Sequence, residues 1–145
     1  MEKRIPSAVL FICTQNAIRS PMAAALMHAE FGGQIYVASA GVNAGDPDPF
    51  VSIVMDEINL DLTRHRPHSI DDLADNAFDL VVTLSPEALA QAETMGRTMA
   101  INIEHWPIPD PSTEQGSRDR ILDAYRTVRD SLAKRIHERF GADVK

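Results

Sequence analysis

Residues Ala8-Val9-Leu10-Phe11-Ile12 are apolar without a break, and the run ends at the chain's one cysteine, Cys13. A surface helix or a half-exposed strand would interrupt such a run with polar residues. A strand covered on both faces would not. Leu80-Val81-Val82-Thr83-Leu84 reads the same way. Ile35, Val37 and Ser39, closed by Gly41, and Ile101 and Ile103, leading into His105-Trp106, mark two more strands. Between them lie helix starts of one kind, Ser20-Pro21, Asp48-Pro49 and Ser85-Pro86, each a capping residue followed by a proline at the first helical position. The first of these helices runs from Met22 to Phe31 and stops at Gly32-Gly33. The second places Val51, Val54, Met55 and Ile58 on one face. The third reaches about Met95 before Gly96. Ser69-Ile70-Asp71-Asp72 has the form of a capping box on a short helix, and Pro107 to Gly116 reads as a loop. Ile121, Tyr125, Val128, Leu132, Ile136 and Phe140 recur every three or four residues along a last helix that Gly141 ends; the stripe is read as core.

Strands alternating with helices imply right-handed crossovers and a parallel sheet. The expected fold is α/β: a three-layer α/β/α sandwich on a four-stranded parallel sheet, formed by residues 1–145 as one domain. Ligands of such sheets bind beyond the carboxyl ends of the strands. Cys13 and the Trp106–Asp110 segment both follow strands, so both fall on that edge.

Charge narrows the partners. With 14 Lys and Arg against 21 Asp and Glu, the net charge of −7 does not suit a nucleic-acid binder. No apolar run is long enough for a membrane span, and the few apolar residues after Met1-Glu2-Lys3-Arg4 are too few for a signal peptide. A single cysteine excludes an internal disulfide and a Cys-rich zinc site, so a cytoplasmic location is expected. His65, His68 and His105 lack metal-ligand spacing, and neither a metal nor another cofactor is expected. His28 and His137 lie on helices with no partner pattern and read as surface residues.

The chemistry concentrates in Cys13-Thr14-Gln15-Asn16-Ala17-Ile18-Arg19-Ser20, a cysteine, five residues, an arginine and a serine joining a buried strand to a helix start. A short loop there turns successive backbone N–H groups inward and cradles an anion. Arg19 adds a guanidinium that can grip two oxyanion oxygens. The same positive field favours a thiolate at Cys13. A thiolate at the floor of an oxyanion cradle faces phosphorus or arsenic as a nucleophile. Nucleotide-binding signatures of the GxxxxGK and GxGxxG kinds are missing.

Leu10 through Cys13, continued by Arg19-Ser20-Pro21-Met22-Ala23, resembles the signature of the low-molecular-weight protein tyrosine phosphatases, whose fold is shared with the thioredoxin-coupled arsenate reductases. Ala38-Ser39-Ala40-Gly41, Leu62-Thr63-Arg64-His65-Arg66 and the late Asp110-Pro111 extend the resemblance over nearly the whole chain. It implies Cys13 as nucleophile, Asp110 as general acid and then base, and Ser20 as the group that stabilises the thiolate. It also implies Thr14 to Arg19 as the phosphate-binding loop, and Asn16, Ser20, Ser39 and His65 as a supporting network. Two readings of His65 stand at this point, that network or an exposed basic run. Trp106 also has two, a wall of the substrate pocket or a core residue.

Three departures from the family pattern bear on substrate. Gln15 stands where glycine is usual, Ile18 where many members have a second cysteine, and Ser112-Thr113 where phosphotyrosine-directed members often carry tyrosines. The expected function is a phosphomonoesterase working through a phosphocysteine on an aryl phosphate or phosphorylated protein, with phosphate, sulfate or arsenate as bound oxyanion. The alternatives are an arsenate reductase that uses an external thiol, and an oxyanion-binding module without catalysis.

Overall fold

All six residues of β1 (Ala8–Cys13) are buried. The strand runs through the middle of a parallel sheet in the order β2-β1-β3-β4, where β2 is Tyr36–Gly41, β3 Leu80–Thr83 and β4 Asn102–His105. The computed structural model describes residues 5–73 and 77–141. Cys13 pairs with Gly41, Ile12 with Thr83, and Thr83 with His105, so the carboxyl ends of all four strands meet at one edge. The chain leaves β1 for β2 on one side and later returns past β1 to β3 on the other. The switch point of the sheet therefore lies between β1 and β3, where ligands of such sheets sit.

Alternate residues of β1 feed two cores. Val9, Phe11 and Cys13 face a layer built from α1 (Arg19–Phe31), α2 (Pro49–Asp56) and α4 (Arg118–Phe140). Leu10 and Ile12 face Ala88 and Ala92 of α3 (Pro86–Gly96). The two layers with the sheet between them make the expected α/β/α sandwich. Among the described residues no helix is long and apolar enough to cross a membrane.

Two of the three expected caps form. The Asp48 carboxylate accepts from the Phe50 N–H, and the Ser85 hydroxyl from the Ala88 N–H. Ser20 does not cap. α1 starts two residues earlier, with Ile18 at the cap position and no side chain on its N–H groups, because the Ser20 hydroxyl turns inward to Cys13. Ile58 is 38% exposed instead of buried, since α2 ends at Asp56 and the face is not continued. In α4 the buried position of the first turns is Leu122, with Ile121 only half-buried. Ser69–Asp72 shortens to a 3₁₀ turn, Ile70–Asp72, held where Asp72 accepts from the Ser69 N–H and hydroxyl. A second such turn, Pro111–Thr113, lies inside the expected 107–116 loop.

Candidate active site

The segment after β1 is shaped by the carbonyls it gives away. Val42, Asn43 and Gly45 donate their N–H groups to the carbonyls of Cys13, Thr14 and Gln15 at 2.9–3.0 Å. The Asn16 carbonyl takes a 2.8 Å hydrogen bond from His65 Nε2, which fixes the proton of His65 on that nitrogen. In a trans peptide the C=O and N–H point in opposite directions. Four carbonyls pinned outward therefore turn the N–H groups of Thr14 to Ala17 to the concave side. The Asn16 N–H lies 3.2 Å from Cys13 Sγ.

Gly41 makes this packing possible. A Cβ there would lie 2.3 Å from the Asn43 carbonyl oxygen and 2.7 Å from the Asn16 nitrogen, both backbone atoms. Asn16 makes the turn, with φ of 56°, a left-handed conformation that asparagine tolerates better than most residues.

Asn16 is fully buried, and each of its polar atoms has a partner. Its Nδ2 donates to Ser20 Oγ at 2.8 Å and to Ser39 Oγ at 3.0 Å, and its Oδ1 accepts from the His68 N–H at 3.1 Å. His68 Nε2 also lies 2.6 Å from the Ser39 carbonyl. The edge of the sheet positions these histidines: the Gly41 N–H donates to the His68 carbonyl, and Gly41 bridges to Ser69. His65 is half-buried rather than exposed. Burial lowers its pKa, more than the hydrogen bond to Asn16 raises it, and the neighbouring His68 and Arg66 lower it further.

Cys13 Sγ lies at the floor of a cavity of about 380 Å³. Ser20 Oγ is 2.9 Å from it. Thr14, Gln15, Ala17, Ile18 and Arg19 line the same cavity, together with Glu87, Asp110 and Ser112. Arg19 Nη1 donates to the Ile108 carbonyl at 2.9 Å and reaches the Leu84 carbonyl at 3.5 Å, which joins the loop to the ends of β3 and β4. Asp110 Oδ1 accepts from the Ser112 N–H at 2.9 Å and the Ser112 hydroxyl at 2.7 Å, while Oδ2 has no such hydrogen bond among the described residues.

Trp106 is not a pocket wall. It is 2% exposed and packs on Phe11 and Phe140, with its indole N–H on Glu104. The strand expected to carry it to the edge ends at His105, and the ring folds back into the core. His28 and His137 are exposed, as expected, and His137 meets Glu30.

Three residues at the site escaped the sequence reading. His68 lacks metal-ligand spacing and falls at the end of the basic run that begins at Arg64, and no local pattern announces its backbone contact with Asn16. Glu87 sits two residues after a helix cap, where an acid has a sufficient local reason. Ser112 reads as a loop serine until its grip on Asp110 is seen.

Comparison with known proteins places this architecture. The family description of the low molecular weight phosphotyrosine protein phosphatases matches residues 8–145. An arsenate reductase of Bacillus subtilis (strain 168) is 34% identical over 140 residues, covering 95% of this chain and 96% of that protein. The tyrosine phosphatase AmsI of Erwinia amylovora superposes with a TM-score of 0.76 at 20% identity, covering 98% of this chain and 96% of its own. The tyrosine phosphatase Wzb of Escherichia coli K30, solved with sulphate, gives 0.74 at 23% identity over 94% of this chain and 100% of that one. The last two share the fold; the matched family and the reductase extend over the same loop, sheet and acid segment. The chain belongs to the low-molecular-weight phosphotyrosine protein phosphatase family.

Proposed function

We propose that this chain is a cysteine-dependent phosphomonoesterase. The observation that carries the proposal is the meeting of Cys13 Sγ, two hydrogen-bond donors to it, Arg19 and Asp110 in one cavity. The phosphoryl oxygens rest on the inward N–H groups of Thr14 to Ala17, the uncapped start of α1 and the guanidinium of Arg19. The Cys13 thiolate attacks phosphorus, an S–P bond forms, and the P–O bond to the leaving group breaks. Asp110 gives its proton to the departing oxygen. Asp110 then takes a proton from water, whose oxygen attacks phosphorus and releases phosphate. The thiolate leaves with Ser20 hydrogen-bonded to it. Asn16, Ser39, His65 and His68 hold the loop in shape.

The natural substrate is a phosphorylated protein or a smaller phosphate ester. Among the described residues the cavity lining contains no aromatic side chain, and Ser112 stands where a ring would stack on a phosphotyrosine. The nucleophile is a lone thiol that works only when reduced, which supports a cytoplasmic location.

Hydrolysis of p-nitrophenyl phosphate at pH 5–7, without metal or added thiol, tests the proposal. Wild type turns over and Cys13→Ser does not; equal turnover in the variant removes the mechanism.

The 34% identity to a protein named arsenate reductase favours a second reading. Arsenate would bind the same cradle and join Cys13 through an S–As bond. With one cysteine in the chain, no second thiol of its own can supply the electrons by closing an internal disulfide. An external thiol would attack Cys13 sulfur, leaving a mixed disulfide as As(V) becomes As(III), and a second thiol would release Cys13. Arsenate loss that depends on added thiol supports this reading, and no loss with any thiol removes it.

A further inference from the structure

Glu87 is the charged group in the cavity that the proposed chemistry does not use. It occupies the first turn of α3, and among the described residues Arg19 is the one basic residue that lines the cavity with it. It forms no ion pair among the described residues, yet it is held in place. Thr14 Oγ1 lies 3.0 Å from Ser85 Oγ and 3.1 Å from Glu87 Oε1. A hydroxyl has one proton and an ionised carboxylate can only accept. The Thr14 hydroxyl is the donor in both contacts, so its one proton is shared between the Ser85 hydroxyl and the Glu87 carboxylate. Ser85 in turn accepts from the Ala88 N–H. The Thr14 hydroxyl, on the residue next to the nucleophile, thus anchors a carboxylate at the mouth of an anion site.

A carboxylate fixed there repels a bare phosphate. It does useful work only toward a substrate that brings a positive charge of its own. Asp110, held by Ser112, is committed to the leaving oxygen. We infer that Glu87 is a specificity-determining residue that reads a cationic nitrogen group on the part of the substrate beyond the phosphoryl oxygen. The inference deepens the phosphomonoesterase reading and rests on it for the substrate class. It also accounts for a cavity without an aromatic wall: charge takes over the orienting role that ring stacking would have.

Binding of three non-hydrolysable probes tests it without requiring turnover. They are benzylphosphonates carrying a 4-aminomethyl, 4-methyl or 4-carboxylate group, titrated calorimetrically into wild type and Glu87→Gln at low salt. Glutamine keeps the shape and the contact with Thr14 while removing the charge. Wild type is expected to bind the aminomethyl probe about three- to fivefold more tightly than the methyl probe, the size of a solvent-accessible ion pair. The carboxylate probe should bind more weakly than either. In Glu87→Gln the three affinities converge, and in wild type the contrast shrinks as salt is added. An equal preference in both proteins, no preference in wild type, or no binding of any probe overturns the inference. Selectivity that depends on Glu87 in a protein that fails to hydrolyse p-nitrophenyl phosphate would remove the phosphatase reading and leave the cation subsite standing.

Discussion

Ser20 Oγ sits 2.9 Å from Cys13 Sγ and 3.3 Å from the Ala40 carbonyl, and it accepts a hydrogen bond from Asn16 Nδ2. Its single proton has two destinations. When the sulfur carries a proton, the thiol can donate to Ser20 and Ser20 to Ala40. When the sulfur is a thiolate, Ser20 donates to it. The hydroxyl thus favours charge on sulfur at attack and again when phosphocysteine breaks down. A hydrogen bond to a charged group contributes about 1.5–3 kcal/mol, so Ser20→Ala should lower kcat for p-nitrophenyl phosphate by about 10- to 100-fold. Alkylation of Cys13 by iodoacetate at fixed neutral pH should slow alongside it. Unchanged alkylation with reduced kcat would place the role of Ser20 elsewhere in the cycle.

Asp110 is held by Ser112 through Oδ1 alone, which leaves Oδ2 for the proton. Asp110→Asn keeps the capping contacts and removes the proton donor. The loss of rate should grow with the basicity of the leaving group, from small for p-nitrophenyl phosphate to about 10²–10⁴-fold for phenyl or alkyl phosphates, the usual range for general acid catalysis. A uniform loss across leaving groups would argue for a positioning role. Ser112→Ala should give a weaker version of the same trend, because the carboxyl loses the hydroxyl hydrogen bond that aims it and keeps only the one from the backbone N–H of residue 112.

Gly41→Ala should be among the costlier single-methyl changes in the chain. The added carbon meets three backbone atoms, of Asn43, Asn16 and Gln15, which cannot turn away as a flexible side chain would. Overpacking of this kind costs about 1–3 kcal/mol, read as a lower urea midpoint. Because one of the atoms is the nitrogen of Asn16, affinity for inorganic phosphate should fall too. Asn16→Gly separates backbone from side chain at the same place. It keeps the left-handed turn but strips partners from Ser20, Ser39 and His68, so stability and phosphate affinity both drop without steric strain.

These expectations show where sequence reading succeeds. Strand β1 is legible because a strand covered on both faces needs apolar residues at every position, and nothing else places five together before a cysteine. Asp48 and Ser85 are legible as caps because a cap is a local bond to a backbone N–H two or three residues on. Ser20 has the same local credentials and fails, because a buried sulfur and an asparagine amide offer its hydroxyl a better set of partners. Tryptophan at a strand end gives no sign of which way its ring turns; for Trp106 the space beside Phe11 and Phe140 decides it. His68 and Glu87 reach the site only through long-range contacts, with Asn16 and Thr14, that no spacing along the chain encodes.

Two groups predict how stability follows pH, in separate windows. Burial lowers the folded-state pKa of His65 from its ordinary value of 6.5. The unfolded chain therefore binds more protons than the folded one below that value, and stability falls as pH drops through 6.5. Glu57 closes the far end of α2 onto α4, with its carboxylate on Arg126 at 2.8 Å and Arg129 at 2.7 Å. Those hydrogen bonds hold its pKa down to about 2 from 4.5. Its contribution is present above pH 4.5 and is lost as pH falls toward 2. Denaturant unfolding from pH 8 to 3 should separate the two. His65→Gln flattens the profile just below pH 6.5 and leaves the acid limb. Glu57→Gln lowers stability at neutral pH and flattens the limb below 4.5. A Glu57→Gln profile parallel to wild type through the acid range would show that the pairs with Arg126 and Arg129 contribute nothing in solution, where solvent screens exposed ions.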